Sequence, residues 1–183
     1  MTLNGFVETF SEFDGHWIGY RCRVEHSTEN HRLHLIPNRT DGDYYSWTGT
    51  AKPGQRPDYP LFGDKTGAMV SVDVGLHSGS FSDAAGNVHI FVAYCPTGTQ
   101  YLTLWSAAFV RAADLTRHGT TIRARLVESE WPEAANTDNF GFEVDRAYVF
   151  SHLDEVGVTH HKPWNGTDDG ILWFDNVKIV ADE

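Results

Sequence analysis

Short segments in which apolar and polar residues alternate recur along the whole chain, and this is the pattern of β-strands with one face in a core. Helical periodicity is scarce, and only 107–119 is expected to contain a short helical turn. Segments rich in Gly, Pro and Asp join the predicted strands. We predict strands within residues 17–25, 31–36, 68–74, 87–94, 100–110, 120–128, 146–153 and 171–180.

This series of strands predicts an all-β fold, a two-sheet antiparallel jelly-roll sandwich, with a lipocalin-like β-barrel as the alternative. The length of 183 residues fits one domain over 1–183, without a linker or internal repeat. A long loop at 37–67 is rich in aromatic residues and is expected either to cover the sandwich as a lid or to seal one end of its core. A second loop is predicted at 154–170, where His160 and His161 are adjacent.

The charge balance limits the partners of the protein. Lys and Arg number 14 against 25 for Asp and Glu, a net charge of -11, which argues against nucleic acid and against acidic membrane surfaces. The chain has 11 Phe, 7 Tyr, 6 Trp and 10 His, a composition suited to a small-molecule or glycan ligand. No signal segment is visible, so we expect a soluble cytoplasmic protein, or a secreted one if a signal has been removed. The oligomeric state is not predictable.

The strand faces that point away from the predicted core carry unusual chemistry. His89 lies on the same face as Phe91, and Tyr101 on the same face as Trp105. The same alternation pairs Arg123 with Arg125, and Arg146 with Tyr148. If these faces belong to one curved sheet, they line a groove for a ligand; if not, they are ordinary exposed faces whose arginines pair with the surplus acids.

Two functions follow from such a groove. The first is a lyase, cyclase or isomerase acting on a small cyclic or sugar-like ligand, with one base, one acid and a cation that holds an anionic group. The alternative is a non-catalytic, lectin-like carbohydrate-binding module, and a structural scaffold is third. For catalysis we single out His89, Tyr148 and Tyr101, and for ligand binding Arg123, Arg125, Trp105, Arg146 and Trp47. No organic cofactor is expected.

Two carboxylates interrupt apolar runs in the terminal strands. Alternation places Asp175 with Trp173 and Val177, and Glu8 with Phe6, on faces that should be buried. An unpaired buried carboxylate costs several kcal/mol, so each requires a partner. A calcium ion, an arginine or a solvated strand end would each supply one.

The terminal segments "LNGFVETF" and "LWFDNVKI" resemble the ends of calcium-binding jelly-roll modules, the galactose-binding-like carbohydrate-binding modules and their relatives. This resemblance implies a structural calcium ion held by Glu8 and Asp175. The segment "NVHIF" is also similar to the central strand of concanavalin-like jelly rolls, including polysaccharide lyases, in which it carries a catalytic histidine. That resemblance implies catalysis by His89, although Asn87 occupies the usual glutamine position.

Overall fold

The computed structural model describes residues 5–11, 17–38, 45–50, 62–95, 102–136, 143–161 and 168–181, and within these ranges the chain forms twelve strands and one short α-helix. The strands are β1 (Phe6–Glu8), β2 (Ile18–Tyr20), β3 (Cys22–Ser27), β4 (Arg32–Pro37), β5 (Tyr45–Gly49), β6 (Met69–Ser78), β7 (Asn87–Tyr94), β8 (Leu102–Arg111), β9 (Thr120–Arg125), β10 (Glu133–Asn136), β11 (Glu155–His161) and β12 (Ile171–Val180). The helix is α1 (Arg146–Ser151), and 3-10 turns cover Ala112–Asp114 and Glu128–Glu130.

The strands are arranged in two antiparallel sheets. Sheet A has the order β3-β4-β12-β6-β9, with β1 also paired to β12, and sheet B has the order β10-β8-β7-β11-β5-β2. The predicted two-sheet sandwich is therefore confirmed. In the described part of the chain the sheets do not close into a barrel, so the barrel alternative is wrong.

The core lies between the two sheets and is formed by alternate residues of the strands. Burying one valine or isoleucine side chain in this core stabilises the fold by about 1.5 to 3 kcal/mol. The residues of β7 and β9 that alternate with the predicted outer positions do face this core. Its strand residues include Val70, Val72, Val74, Val88, Ile90, Val92, Ile122, Ala124, Val156 and Val158.

Three secondary-structure predictions are wrong. Residues 146–151 form a helix because the Asp145 side chain caps its start by accepting a hydrogen bond from the Tyr148 N–H. The predicted loop at 154–170 contains β11, whose Val156 and Val158 point into the core. The predicted loop at 37–67 contains β5, which pairs with β11 and β2.

A β-bulge in β12 changes the face of the residues that follow Asp175. Asp175 is opposite Asp73 and Lys178 is opposite Ser71, so β12 advances three residues while β6 advances two. Asn176 supplies the extra residue with a φ of 50°, a left-handed conformation that Asn tolerates. The core face is consequently Leu172 and Phe174 before the bulge, and Val177 and Ile179 after it. The prediction that Asp175 shares the face of Val177 is wrong, and Asp175 lies on the outer face of sheet A.

No helix among the described residues is long and apolar enough to cross a membrane.

Candidate functional site

The outer face of sheet B, here called the B face, carries a group of aromatic and histidine rings. It is formed by the strand positions that alternate with core residues such as Val88, Ile90 and Val92. Phe91 of β7 is directly opposite Trp105 of β8, and His89 is opposite Phe109. The B face includes Ile18, Tyr20, Gly49, His89, Phe91, Thr103, Trp105, Phe109, Glu133, Glu155, Gly157, Thr159 and His161.

Four rings form a continuous cluster on this face. The His89 ring centroid is 4.7 Å from that of His161 and 5.3 Å from that of Phe109. Trp105 meets His161 edge-on at 5.6 Å. Phe109 is 51% exposed and Trp105 is half-buried, so the cluster presents apolar ring surface to solvent.

A bulge in β8 fixes the orientation of His89. Three residues separate Trp105 from Phe109, whereas one separates their partners on β7. The Ser106 hydroxyl accepts the Ile90 N–H at 3.2 Å and donates to the Ala108 carbonyl at 2.6 Å. The Ser106 carbonyl lies 2.9 Å from His89 Nδ1. Because a carbonyl only accepts, Nδ1 carries the hydrogen, and Nε2 is the nitrogen of neutral His89 that can accept a hydrogen bond or a proton.

Two glycines make room for Phe91 on the B face. A Cβ at Gly49 or at Gly157 would overlap the Phe91 ring, and one at Gly49 would also meet the Glu155 carboxylate. Both positions lie on neighbouring strands and are paired to each other. The absence of side chains there lets the aromatic ring lie flat against the sheet.

The electrostatics of the B face suit an uncharged ligand. Burial lowers the pKa of His161, His89 lowers it further, and Glu133 partly opposes the effect. His161 is therefore neutral at pH 7, and the carboxylates on the face are Glu133 and Glu155. Arg111, at the end of β8, is engaged by Asp83 at 2.7 Å.

The arginines predicted to share a groove with His89 lie on the other side of the molecule. Arg123 and Arg125 alternate with the core residues Ile122 and Ala124 on β9, so they point outward from sheet A. The outer faces of a two-sheet sandwich point in opposite directions. The prediction of one groove that combines these arginines with His89 is therefore wrong, because alternation defines a face but not the sheet to which it belongs.

Arg146 and Tyr148 belong to α1 rather than to a strand. Arg146 donates to the carbonyls of Trp131 at 2.6 Å and Pro132 at 2.8 Å, which ties the helix to the preceding segment. The exposed Tyr148 ring stacks on His152 with centroids 4.2 Å apart. The face that was predicted from strand alternation for Arg146 and Tyr148 does not exist.

The remaining predicted site residues are Trp47 and Tyr101. Trp47 occupies the position on β5 opposite Thr159 and Tyr20, two residues of the B face. Tyr101 lies outside the described residues, as do Tyr44 and Tyr59 of the predicted aromatic loop.

The structure separates the two carboxylates proposed for calcium. Glu8 is on the side of β1 that carries Phe6, and it accepts the Phe10 N–H at 2.7 Å. Asp175 lies on the outer face of sheet A, where burial raises its pKa and the nearby Arg32 opposes that rise. The described ranges contain no group of three His, Cys, Asp or Glu side chains placed to hold a metal ion. Calcium binding by Glu8 and Asp175 remains a prediction. The two side chains lie on opposite faces of sheet A, which does not support it.

Sequence reasoning missed His161, Phe109 and Glu155 as members of the B face. For Glu155 and His161 the available signal was the alternation in "EVGVTHH". Val156 and Val158 mark a strand there, and the residues that alternate with them point outward. The adjacent histidines and the downstream Gly and Asp residues obscured this signal.

The chain is similar in fold to solved structures of carbohydrate-active proteins. No protein-family model and no curated protein matches the sequence. An exo-beta-agarase matches with a TM-score of 0.55 and 12% identity over 98% of this chain and 25% of the agarase chain. The CBM22-1-GH10 modules of the N-terminal endo-1,4-beta-D-xylanase 10B of Clostridium thermocellum, complexed with xylohexaose, match with a TM-score of 0.55 and 11% identity over 97% of this chain and 28% of theirs. The chain thus spans about a quarter of the length of these similar structures, and what it shares with them is the two-sheet all-β fold.

Proposed function

We propose that the B face binds an uncharged glycan and that the protein is a carbohydrate-binding module without chemistry of its own at this face. The observation that carries the proposal is the cluster of Trp105, Phe109, His89 and His161 on an outer sheet face. Aromatic rings stack on the apolar faces of sugar rings, and neutral imidazoles and carboxylates accept hydrogen bonds from sugar hydroxyls. A polysaccharide ligand also agrees with the similar structures, an agarase and a xylanase crystallised with xylohexaose.

The arrangement favours binding over the lyase, cyclase or isomerase chemistry expected first. His89 Nε2 is available as a base, but the mechanism also required a cation to stabilise developing negative charge. Arg123 and Arg125 are on sheet A, and Arg111 of β8 is already paired with Asp83. Arg21 lies over the Tyr20 ring at the β2 edge of sheet B, three strands away from His89 on β7. A base without such a cation supports hydrogen bonding to a ligand better than elimination.

Calorimetric titration with xylohexaose, neutral agarose oligosaccharides and soluble β-glucan tests this function. Trp105→Ala should weaken the binding of whichever glycan binds by about tenfold or more, which is about 1.4 kcal/mol, and Phe109→Ala should weaken it less. Tyr148→Ala removes an exposed ring from α1 and serves as the matched control with unchanged affinity. Equal affinity of wild type and Trp105→Ala would withdraw the B face as the binding surface.

A second measurement separates binding from catalysis. Incubation with the same glycans and with uronate glycans should leave the ultraviolet absorbance flat, because no conjugated double bond forms. An absorbance rise that is lost in His89→Ala would instead support a lyase reaction in which His89 is the base.

A further inference from the structure

We propose that the outer face of sheet A, here called the A face, binds an anionic polysaccharide through Arg123, Lys178 and Arg32. This site goes beyond the proposed glycan site on the B face and is independent of it. The two faces differ in charge, and the difference selects different ligands.

Arg123 and Lys178 lie in one row across three paired strands. Ser71 of β6 is paired with Arg123 of β9 on one side and with Lys178 of β12 on the other. Strands lie about 4.8 Å apart, so the backbones of the two cationic residues are about 10 Å apart. On the far side of Lys178 the row ends at Val7 of β1. The row therefore contains two cations, a hydroxyl and an exposed apolar side chain, and no carboxylate.

Arg32 is held rigidly on the same face. Its guanidinium lies over the Trp173 ring at 3.8 Å from the centroid. Trp173 in turn lies flat on Gly75 and Gly119, where any Cβ would overlap the indole. A stacked guanidinium loses little freedom on binding, and its edge N–H groups remain directed to the side. None of the described carboxylates lies within 4.0 Å of the charged nitrogens of Arg32, Arg123 or Lys178.

The carboxylates on the described strands of the A face are Glu25, Asp73 and Asp175, and Asp175 accepts the Asn176 N–H at 2.7 Å and lies near Arg32. Glu25 pairs with Arg23 at 2.9 Å. Asp73 accepts from Thr121 at 2.5 Å and from the Asn176 side chain at 2.9 Å, one hydrogen bond to each oxygen. These hydrogen bonds leave Asp73 and Asp175 charged, so the attraction for an anion comes from the neighbouring row of Arg123 and Lys178, which contains no carboxylate.

Among the described outer strand positions, sheet A carries Arg23, Arg32, Arg123, Arg125 and Lys178 against Glu25, Asp73 and Asp175, whereas sheet B carries Arg111 against Glu133 and Glu155. An anion is therefore attracted more strongly to the A face than to the B face.

The spacing of these cations indicates a polymer with separated charges. A single small anion would reach one of the three groups, whereas a polysaccharide chain can meet cations on β9, β12 and β4 together. Duplex DNA places one charge about every 1.7 Å along its axis, a density that the surplus acids of this protein oppose. A polysaccharide with one carboxylate or sulfate per sugar has a lower charge density and fits the separated cations better.

Affinity electrophoresis tests the site with polygalacturonate, dextran sulfate and uncharged dextran. Wild type should bind the two anionic polymers more tightly than dextran, and only the affinity for the anionic polymers should fall as salt rises from about 20 to about 500 mM. The stronger of the two anionic polymers identifies whether carboxylate or sulfate is preferred. Arg123→Gln and Lys178→Gln should each weaken binding about threefold to tenfold and reduce the salt dependence.

Arg111→Gln is the matched control, because it removes the same charge from the edge of the B face. Its affinity for the anionic polymers should equal that of wild type, and Trp105→Ala should also leave that affinity unchanged. Loss of binding in Arg111→Gln equal to that in Arg123→Gln would mean a response to net charge alone and would overturn the site. Absence of anionic-polymer binding at low salt, or tighter binding of duplex DNA, would also overturn it. The titrations with xylohexaose, agarose oligosaccharides and β-glucan test the neutral-glycan proposal independently of this site.

Discussion

Asp175 lies directly opposite Asp73 on the neighbouring strands β12 and β6, on the outer face of sheet A. Asp175 also accepts the backbone N–H of Asn176 at 2.7 Å. Partial burial raises the pKa of Asp175, and the like charge of Asp73 adds to that rise, while Arg32 opposes it. Asp175 alternates with the core residues Leu172 and Phe174, and the bulge at Asn176 then places Val177 and Ile179 in the core, so the carboxylate lies outside the apolar face.

Asp175→Asn should stabilise the protein at pH 7. An amide oxygen can still accept the Asn176 N–H, while the cost of partly burying a charge, which is the largest contribution, and the repulsion by Asp73 both disappear. Their loss should outweigh the lost attraction to Arg32, because the pKa of Asp175 is raised overall. Because Asp175 is partly solvated, the gain should be about 0.5 kcal/mol in the free energy of unfolding. Its raised pKa means that the folded state holds the proton more tightly, so wild type regains stability as the pH falls toward 4. Urea unfolding at pH 7 and pH 4 should show the difference between the two proteins narrowing at the lower pH.

Glu133→Gln is the control, since Glu133 is an exposed carboxylate on sheet B and its loss should leave stability unchanged. A clear loss of stability in Asp175→Asn at pH 7 would mean that the attraction to Arg32 and the hydrogen bond from Asn176 outweigh the cost of partly burying the charge.

Alternation located strand faces well where the pairing is regular. On β7 the residues Val88 and Ile90 point to the core and His89 points out, as a period of two requires. On β12 the alternation holds up to Asp175 and then breaks. The left-handed Asn176 shifts every following side chain to the other face. The helix at 146–151 was missed although Asp145, its N-cap, is visible in the sequence.

The candidate site was harder to predict than the fold for a different reason. Alternation shows that Arg123 and His89 both point away from the core, but it carries no information about which sheet each strand joins. That choice depends on pairings between strands far apart in the chain, such as β9 with β6 and β11 with β7. The sequence therefore predicts the residue types on the outer faces but not the separation of these residues onto two faces.

Gly75→Ala should destabilise the fold, because a Cβ there would overlap the Trp173 indole. Overpacking of this kind costs about 1 to 3 kcal/mol. In the Trp173→Leu variant, Gly75→Ala should lower the free energy of unfolding much less. The three atoms nearest to a Cβ at Gly75 all belong to the Trp173 indole. A double-mutant cycle of unfolding free energies measures this coupling. Equal costs of Gly75→Ala in both backgrounds would show that the backbone, not the indole, requires glycine.

Arg146→Gln should lower stability without changing the affinity for glycans. The substitution removes hydrogen bonds to the carbonyls of Trp131 and Pro132, and a loss of about 1 to 3 kcal/mol is expected for hydrogen bonds from a charged donor. Thermal unfolding and the calorimetric titration measure the two quantities on the same protein. A weaker glycan affinity in a still folded Arg146→Gln would return this residue to the ligand-binding set.

His160 is fully buried on the core side of β11, next to His161 on the outer side. Its Nε2 donates to the Ala85 carbonyl at 2.6 Å, and its Nδ1 has no hydrogen-bond partner among the described residues. Burial lowers the pKa of His160 from 6.5 to about 4, although the hydrogen bond to Ala85 opposes this shift. The folded state therefore holds His160 in its neutral form.

This burial predicts a loss of stability in mild acid. As the pH falls below 6.5, the unfolded chain binds a proton at His160 that the folded protein does not bind until about pH 4, so stability declines across this window. At pH 5 the loss from this group is about 2 kcal/mol, given 1.36 kcal/mol for each pH unit. His160→Gln, whose amide can still donate to Ala85, should be less stable than wild type at pH 7 but should lose less between pH 7 and pH 5 in urea unfolding. His118→Gln, at an exposed turn, should retain the wild-type decline. An undiminished decline in His160→Gln would assign the acid sensitivity to another group.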